Sequence, residues 1–467
     1  MPRRGVARAL VASAVLSLLP AGPARAHDGS AGPAAATARQ SPAELRERVR
    51  REVSPAEARL LGPEHAEAHA RTRLAMRDEA GRPDSVRAAR LDSLKESQAR
   101  ANAGFRPALY GAFTEYFGSP DFGAHTALLP TGKVLLYSSG PTGAGRAFLW
   151  DPAKGTAAGA FTRVAPPPAP LSPRTRHTLL PGGELGVFDG DGATGPSLVF
   201  DPRTETWSRG RNTAAGRRSG VAGGYGPLWG TRAPAMERFP TLGHPAAATA
   251  PASGPTGGRR HDTTLALPDG SLLTASGAYD IHDYAGGLLS PAPDLKYRQL
   301  ELHDTKGGWR LGPVQRLPRG HHSNALLLPD GRVMITGDEL QQTAHDPDLH
   351  DGMPGSIEIY EPAQLHQGPR PVLDEVPSEP LAPGARFTVR TRTPDRVRRA
   401  VLLAPDTATP ASGTGRRPVE LPIGRRAGGV LTLQAPPPGA ALAPGPHLLF
   451  LLDAHGVPGI ARWVRLA

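Results

Sequence analysis

Four times along this chain an apolar run opens on histidine, meets a Pro-x-Gly turn and returns as a second apolar run closing on glycine. These units lie at 125–140, 177–190, 261–277 and 322–337. Proline presets φ and glycine supplies the positive φ of a tight reversal, so each unit reads as a β-hairpin with its turn chemistry at a fixed place. A third strand follows and ends at Asp151-Pro152, Asp201-Pro202, His303-Asp304 or Glu361-Pro362, and Trp207 and Trp309 come after two of them. Four strands per unit, repeated at least four times, predict a β-propeller, since one such sheet buries its faces only between neighbouring copies. The turn glycines 132, 183, 270 and 331 are 51, 87 and 61 residues apart, leaving room for a degenerate unit around 219–250. At about 40–50 residues per blade, the stretch 108–365 holds six blades, or seven small ones; seven is the number expected.

The flanks differ in character. Residues 41–103 are charged, glycine-poor and helical in period, and Ser41-Pro42-Ala43-Glu44 and Ser54-Pro55-Ala56-Glu57 are helix starts with serine caps. Helices are expected near 42–52, 55–79 and 84–101, the second broken near Gly62-Pro63. Their apolar faces are thin, so 27–107 is expected to be a flexible segment and helical arm, packed on the next domain or partly free, and a surface on which another protein can sit. Beyond 366, proline-separated strands such as Arg386-Phe-Thr-Val-Arg-Thr391, Ala400-Val-Leu-Leu403, Val430-Leu-Thr-Leu-Gln434, His447-Leu-Leu-Phe-Leu-Leu452 and Ile460-Ala-Arg-Trp-Val-Arg-Leu466 recur at the spacing of an immunoglobulin-like sandwich over 366–467. The fold class is all-β: a propeller followed by a sandwich, preceded by a helical arm.

Residues 1–26 read as an export signal. Arg3, Arg4 and Arg8 precede the apolar stretch from Ala9 to Leu19, Pro20 breaks it, and Ala24-Arg25-Ala26 supplies small residues for cleavage. That stretch of 11 residues is too short to span a bilayer. A secreted or periplasmic protein without a membrane span is expected, exported by the general or the twin-arginine route. The net charge of +11 includes four arginines of that segment, so the mature chain carries +7. The excess is dispersed arginine with no basic stripe, which argues against nucleic acid as a partner. With no cysteine in the chain, disulfides, thiolate metal sites and cysteine nucleophiles are excluded. No P-loop, dinucleotide fingerprint, Gly-x-Ser-x-Gly or His-Glu-x-x-His stands out.

The junction Ile357-Glu-Ile-Tyr-Glu-Pro362, with Leu365 and Gly368-Pro-Arg-Pro371, and the ending Pro446-His-Leu-Leu-Phe-Leu-Leu-Asp-Ala-His-Gly-Val-Pro-Gly-Ile-Ala-Arg-Trp-Val464 resemble the C-terminal part of galactose oxidase-like proteins. The resemblance implies a kelch-type seven-bladed propeller and an early-set immunoglobulin-like domain over about 115–467. It also implies a copper site of two tyrosines and two histidines, one tyrosine cross-linked to a cysteine, which oxidises alcohols or aldehydes with O₂. Residue by residue that site is mostly absent. Arg174 stands at the cysteine position, and His321-His322 replaces a tyrosine-histidine pair and keeps the histidine. Pro410 aligns with the second histidine, in the sandwich loop that reaches into the propeller, and Phe239 is the nearest match to the cross-linked tyrosine.

In a hairpin the start of the first strand and the end of the second lie together, opposite the turn, so His261, His321 and His322 should share a face with the segments leaving the second strands. Two of those segments are long and carry Asp280, His282, Asp283 and Tyr284, and Asp338, Glu339, His345 and His350. Imidazoles and carboxylates at a propeller mouth can hold a divalent metal, copper by resemblance; the alternative is that the histidines cap strand starts and the loops are solvated. Three functions follow as expectations: a protein binding a carbohydrate or another small polar ligand at the mouth, a copper-dependent oxidoreductase with an altered site, and a carbohydrate-active hydrolase or lyase using paired carboxylates such as Asp283 with Asp338 or Glu339.

Overall fold

The computed structural model describes residues 42–61, 63–138, 145–169, 171, 175–188, 197–210, 263–277, 298–305, 308–320, 322–337, 349, 353–405, 407–408, 418–438 and 442–467. Residues 1–26, expected to be an export signal, the degenerate unit expected around 219–250 and the blade count it would settle lie outside them. The chain divides at Glu47/Arg48, and the unit Arg48–Ala467 carries the features described below.

Proline opens each of the first three helices: α1 (Pro42–Glu52), α2 (Pro55–Leu61) and α3 (Pro63–Ala80). Ser54 accepts the Glu57 backbone N–H at 3.3 Å, the cap that its spacing predicts. α4 (Asp84–Asn102) follows, and a single turn, α5 (Pro107–Tyr110), leads into the β region.

Four antiparallel sheets come from the four repeats, each with four strands of the β region. The first holds β2 (His125–Leu128), β3 (Val134–Ser138), β4 (Arg146–Trp150) and β5 (Phe161–Val164). The second holds β6 (Arg176–Leu179), β7 (Leu185–Phe188), β8 (Leu198–Asp201) and β9 (Thr206–Arg209). The third holds β10 (Thr263–Ala266), β11 (Leu272–Ala275), β12 (Gln299–His303) and β13 (Trp309–Val314). In the fourth, β14 (Asn324–Leu327), β15 (Val333–Thr336) and β16 (Gly355–Glu361) are completed by β1 (Ala112–Ser119), giving the order β1-β16-β15-β14. The ring is thus closed by a strand from the start of the β region, which gives β16 a partner along its outer edge.

The hairpin turns repeat in detail. Gly132, Gly183, Gly270 and Gly331 all take φ between +83° and +99°. In each turn the glycine N–H donates to a leucine carbonyl three residues back, at 2.8–2.9 Å. An L side chain at these positions would be strained. The inner hairpins β2–β3 and β14–β15 are buried throughout, so their sequences are continuous apolar runs rather than alternating ones.

The C-terminal sandwich pairs one sheet of β17 (Arg386–Arg390), β22 (Val430–Gln434) and β21 (Ile423–Ala427) with another of β20 (Val419–Glu420), β18 (Arg399–Leu403), β23 (Gly445–Leu452) and β24 (Arg462–Leu466). Leu402, Leu431, Leu433, Leu449 and Leu451 fill the space between them. The opposite face of β18 and β23, through Val401, Leu403, Leu448 and Phe450, joins the apolar core of the propeller. From the sandwich, β19 (Thr407–Ala408) reaches the first blade and pairs antiparallel with Thr126 and Ala127 on the edge of β2.

The arm is held more firmly than its thin apolar faces predict. Leu91 and Leu94 of α4 are buried against Leu317, beside Tyr116. The rest of the seam is polar, which hydropathy alone does not reveal. The buried Arg298 guanidinium donates to the Leu94 carbonyl at 3.1 Å and the Arg316 carbonyl at 2.8 Å. Gln98 and Asn102 donate to the Val314 carbonyl at 3.0 and 2.9 Å, and the Val314 N–H donates back to Asn102 at 2.7 Å. Burial lowers the Arg298 pKa to about 10 against the opposing charge of Glu358.

Candidate functional site at the propeller mouth

Because the hairpins point their Pro-x-Gly turns away from the mouth, the described residues that open three of the units, His125, His177 and His322, lie toward it. His125 is the first residue of β2 and pairs across to Tyr137 on β3. His177 is the second residue of β6. His322 stands two residues before β14 with a left-handed φ of +62°. A Cβ on Gly337 would strike the His322 carbonyl, so the glycine that ends the fourth unit makes room for this turn.

These side chains gather. The Tyr137 hydroxyl is hydrogen-bonded to His177 Nδ1 at 2.6 Å. The His125 ring stacks on Tyr137 with centroids 4.9 Å apart, and meets the His177 ring edge-on at 6.1 Å. A fourth imidazole arrives from the arm: His69 of α3 brings its Nε2 to 3.5 Å from His322 Nε2, the rings crossing at 64°. Behind it, His69 Nδ1 is 3.4 Å from Glu57 Oε1. Arg73 grips Glu57 through both carboxylate oxygens at 3.0 Å.

Burial, reinforced by the neighbouring His177 and His322, holds His125 well below the usual histidine range. Burial also pushes the Tyr137 phenol upward, so it stays protonated at neutral pH. His125 and Tyr137 are therefore both held in their uncharged forms within this buried cluster. His125 Nδ1 is buried and has no hydrogen-bond partner among the described residues, a cost a native fold rarely leaves uncompensated.

Neutral imidazoles suit copper or zinc. Among the described residues no three histidine, aspartate or glutamate side chains converge on one ion, but the His69–His322 pair brings two donors together. The donor set accommodates an ion held by imidazoles and cannot supply a cysteine–tyrosine cross-link, since the chain has no cysteine.

Of the residues singled out in the sequence, His322 is described and lies at the mouth as expected. His321, His261, Asp280, His282, Asp283, Tyr284, Asp338, Glu339, His345 and His350 lie outside the described residues, as do Arg174, Phe239 and Pro410. His125, His177 and Tyr137 were not among the expected site residues. The signal for the two histidines was present: every repeat opens on histidine, and a propeller carries equivalent positions to one end of its axis. Nothing in the sequence pointed to His69, 253 residues from its partner.

Comparison with known proteins identifies the C-terminal sandwich. Residues 370–466 match the galactose oxidase-like early set domain. A galactose oxidase of Gibberella zeae is 26% identical over 215 residues, covering 44% of this chain and 29% of that protein. An aldehyde oxidase of Vitis pseudoreticulata is 32% identical over 166 residues, covering 32% of this chain and 30% of that protein. The chain thus spans less than a third of the length of either. A fungal alcohol oxidase solved in complex with copper superposes with a TM-score of 0.48 at 15% identity, over 77% of this chain and all of that one. Residues 370–466 thus form a galactose oxidase-like early set domain, and it follows a β-propeller in this chain.

Proposed function

We propose that this chain is an exported galactose oxidase-like protein that works without the cross-linked tyrosyl radical and binds a small polar ligand, a carbohydrate, at its histidine-lined mouth. The observation that carries the reading is the absence of cysteine from all 467 residues: no thioether can form, whatever metal is present. The mouth supports it further. Tyr137 is fully buried, and its hydroxyl, held on His177 Nδ1, fixes the His177 and His125 rings, whose nitrogens are of the kind that hydrogen-bond sugar hydroxyls. Export rests on the basic, apolar, small-residue order of 1–26, and among the described residues no helix is long and apolar enough to cross a membrane.

A second reading, a copper-dependent oxidoreductase with an altered site, draws on the His69–His322 pair. One experiment separates the two. The purified protein, loaded with copper, is offered galactose, glyoxal and soluble oligosaccharides while peroxide and binding heat are followed. Binding without peroxide supports the first reading; peroxide released in step with substrate, at enzyme-like rates of about 1–1000 per second, supports the second and refutes the first.

A further inference from the structure

We propose that His69 of the arm and His322 of the propeller form a two-imidazole site for a divalent transition-metal ion, copper or zinc, with Glu57 fixing His69 in the ligating tautomer. The site goes beyond the ligand-binding reading above and does not depend on it.

The spacing comes first. A tetrahedral ion with metal–nitrogen bonds of about 2.0–2.1 Å keeps two such nitrogens about 3.3–3.4 Å apart. The two Nε2 atoms stand at 3.5 Å. Small movements suffice to admit an ion between them, and water or a ligand oxygen completes the coordination.

The supporting contact comes second. A ligating imidazole needs its other nitrogen protonated and donated, and a carboxylate is the common acceptor. His69 Nδ1 faces Glu57 Oε1 at 3.4 Å, and Glu57 is itself anchored by both nitrogens of the Arg73 fork and by the Ser54 cap at its backbone. That arrangement leaves the His69 Nε2 lone pair aimed at His322.

The third observation is strain. His322 is one of three described non-glycine residues with positive φ. Such backbone persists where the surroundings enforce it, and it gathers at functional positions. Here the turn that imposes it presents the ring to the arm.

A metal bridging these two residues clips the arm to the propeller. This gives the test a readout independent of turnover. Copper(II) and zinc are titrated into the full mature chain, wild type and His69→Gln, His322→Gln and Glu57→Gln, with folding checked by circular dichroism and melting. The wild type should take up one ion with two imidazole nitrogens in its copper resonance spectrum. Losing either histidine should weaken binding more than about 100-fold, and Glu57→Gln by about 10–100-fold. At about 100 times the dissociation constant, metal should slow protease cleavage of the arm in the wild type by about 100-fold and leave His69→Gln unaffected. Should both histidine variants fail to fold, the Glu57→Gln affinity and the wild-type spectrum still decide. No binding by the wild type, His69→Gln binding as tightly as wild type, or cleavage indifferent to metal would each overturn the site. An oligosaccharide complex formed without any metal would leave the ligand-binding reading standing.

Discussion

Leu94→Ala tests whether the arm is a structural part of the propeller. Leu94 is 2% exposed and packs with Leu91 and Leu317. Truncation removes three methylene-sized groups, about 2.4 kcal/mol at about 0.8 each, and the cavity left behind brings the loss to about 3 kcal/mol. The backbone bond from Arg298 to the Leu94 carbonyl survives the change, so the helix should still dock, only more weakly. If opening is rapid, cleavage follows the open population, and about 3 kcal/mol raises it about 100-fold. Trypsin has targets at Arg87, Arg90 and Arg100 on the same helix. Limited proteolysis of wild type and variant, with fragments read by mass, should show that acceleration confined to 84–102. Equal cleavage rates, or a wild-type α4 cut before any propeller loop, would mean that the buried seam contributes little to holding the arm.

Removing the Glu358 carboxylate should cost about 3–5 kcal/mol: it is buried with Arg319, whose Nε and Nη2 reach it at 3.1 and 3.0 Å, and it also accepts the Arg316 N–H at 2.6 Å. Urea midpoints of wild type and Glu358→Gln measure this, and a loss under about 1 kcal/mol would contradict the role assigned to the pair. For His125 the sign follows from its depressed native pKa. Below the unfolded value of about 6.5 the unfolded chain takes a proton that the native chain refuses, so stability is complete above that pH and falls by up to about 1.4 kcal/mol per unit beneath it. His125→Gln should flatten that slope by one proton in pH-dependent unfolding; an unchanged slope would place the titration elsewhere.

Much of the fold was legible because turn chemistry is local. Pro-x-Gly at four equivalent places fixed the hairpins, and the Asp-Pro pairs after Trp150 and Phe200 marked where third strands end. The sandwich strands read equally well. What sequence could not give was long-range pairing. β1 closes the fourth sheet with a partner more than 200 residues away, and its apolar pattern would suit any edge. The α4 seam was hidden for another reason: Gln98, Asn102 and Arg298 look like solvated surface until Val314 and Leu94 are brought beside them. At the site, His322 was legible from the hairpin rule, and His125 and His177 from the repeat that opens on histidine. His69 became visible only when the arm was placed.

The most direct test of the proposed function, a galactose oxidase-like protein that works without the radical, is the optical and electron-resonance spectrum of the purified protein after copper loading and mild oxidation. The absence of cysteine and the burial that keeps Tyr137 protonated predict a plain copper(II) signal with no tyrosyl-radical absorption, unchanged by galactose or glyoxal. A stable radical band that is bleached by either substrate and restored by O₂ would contradict the account.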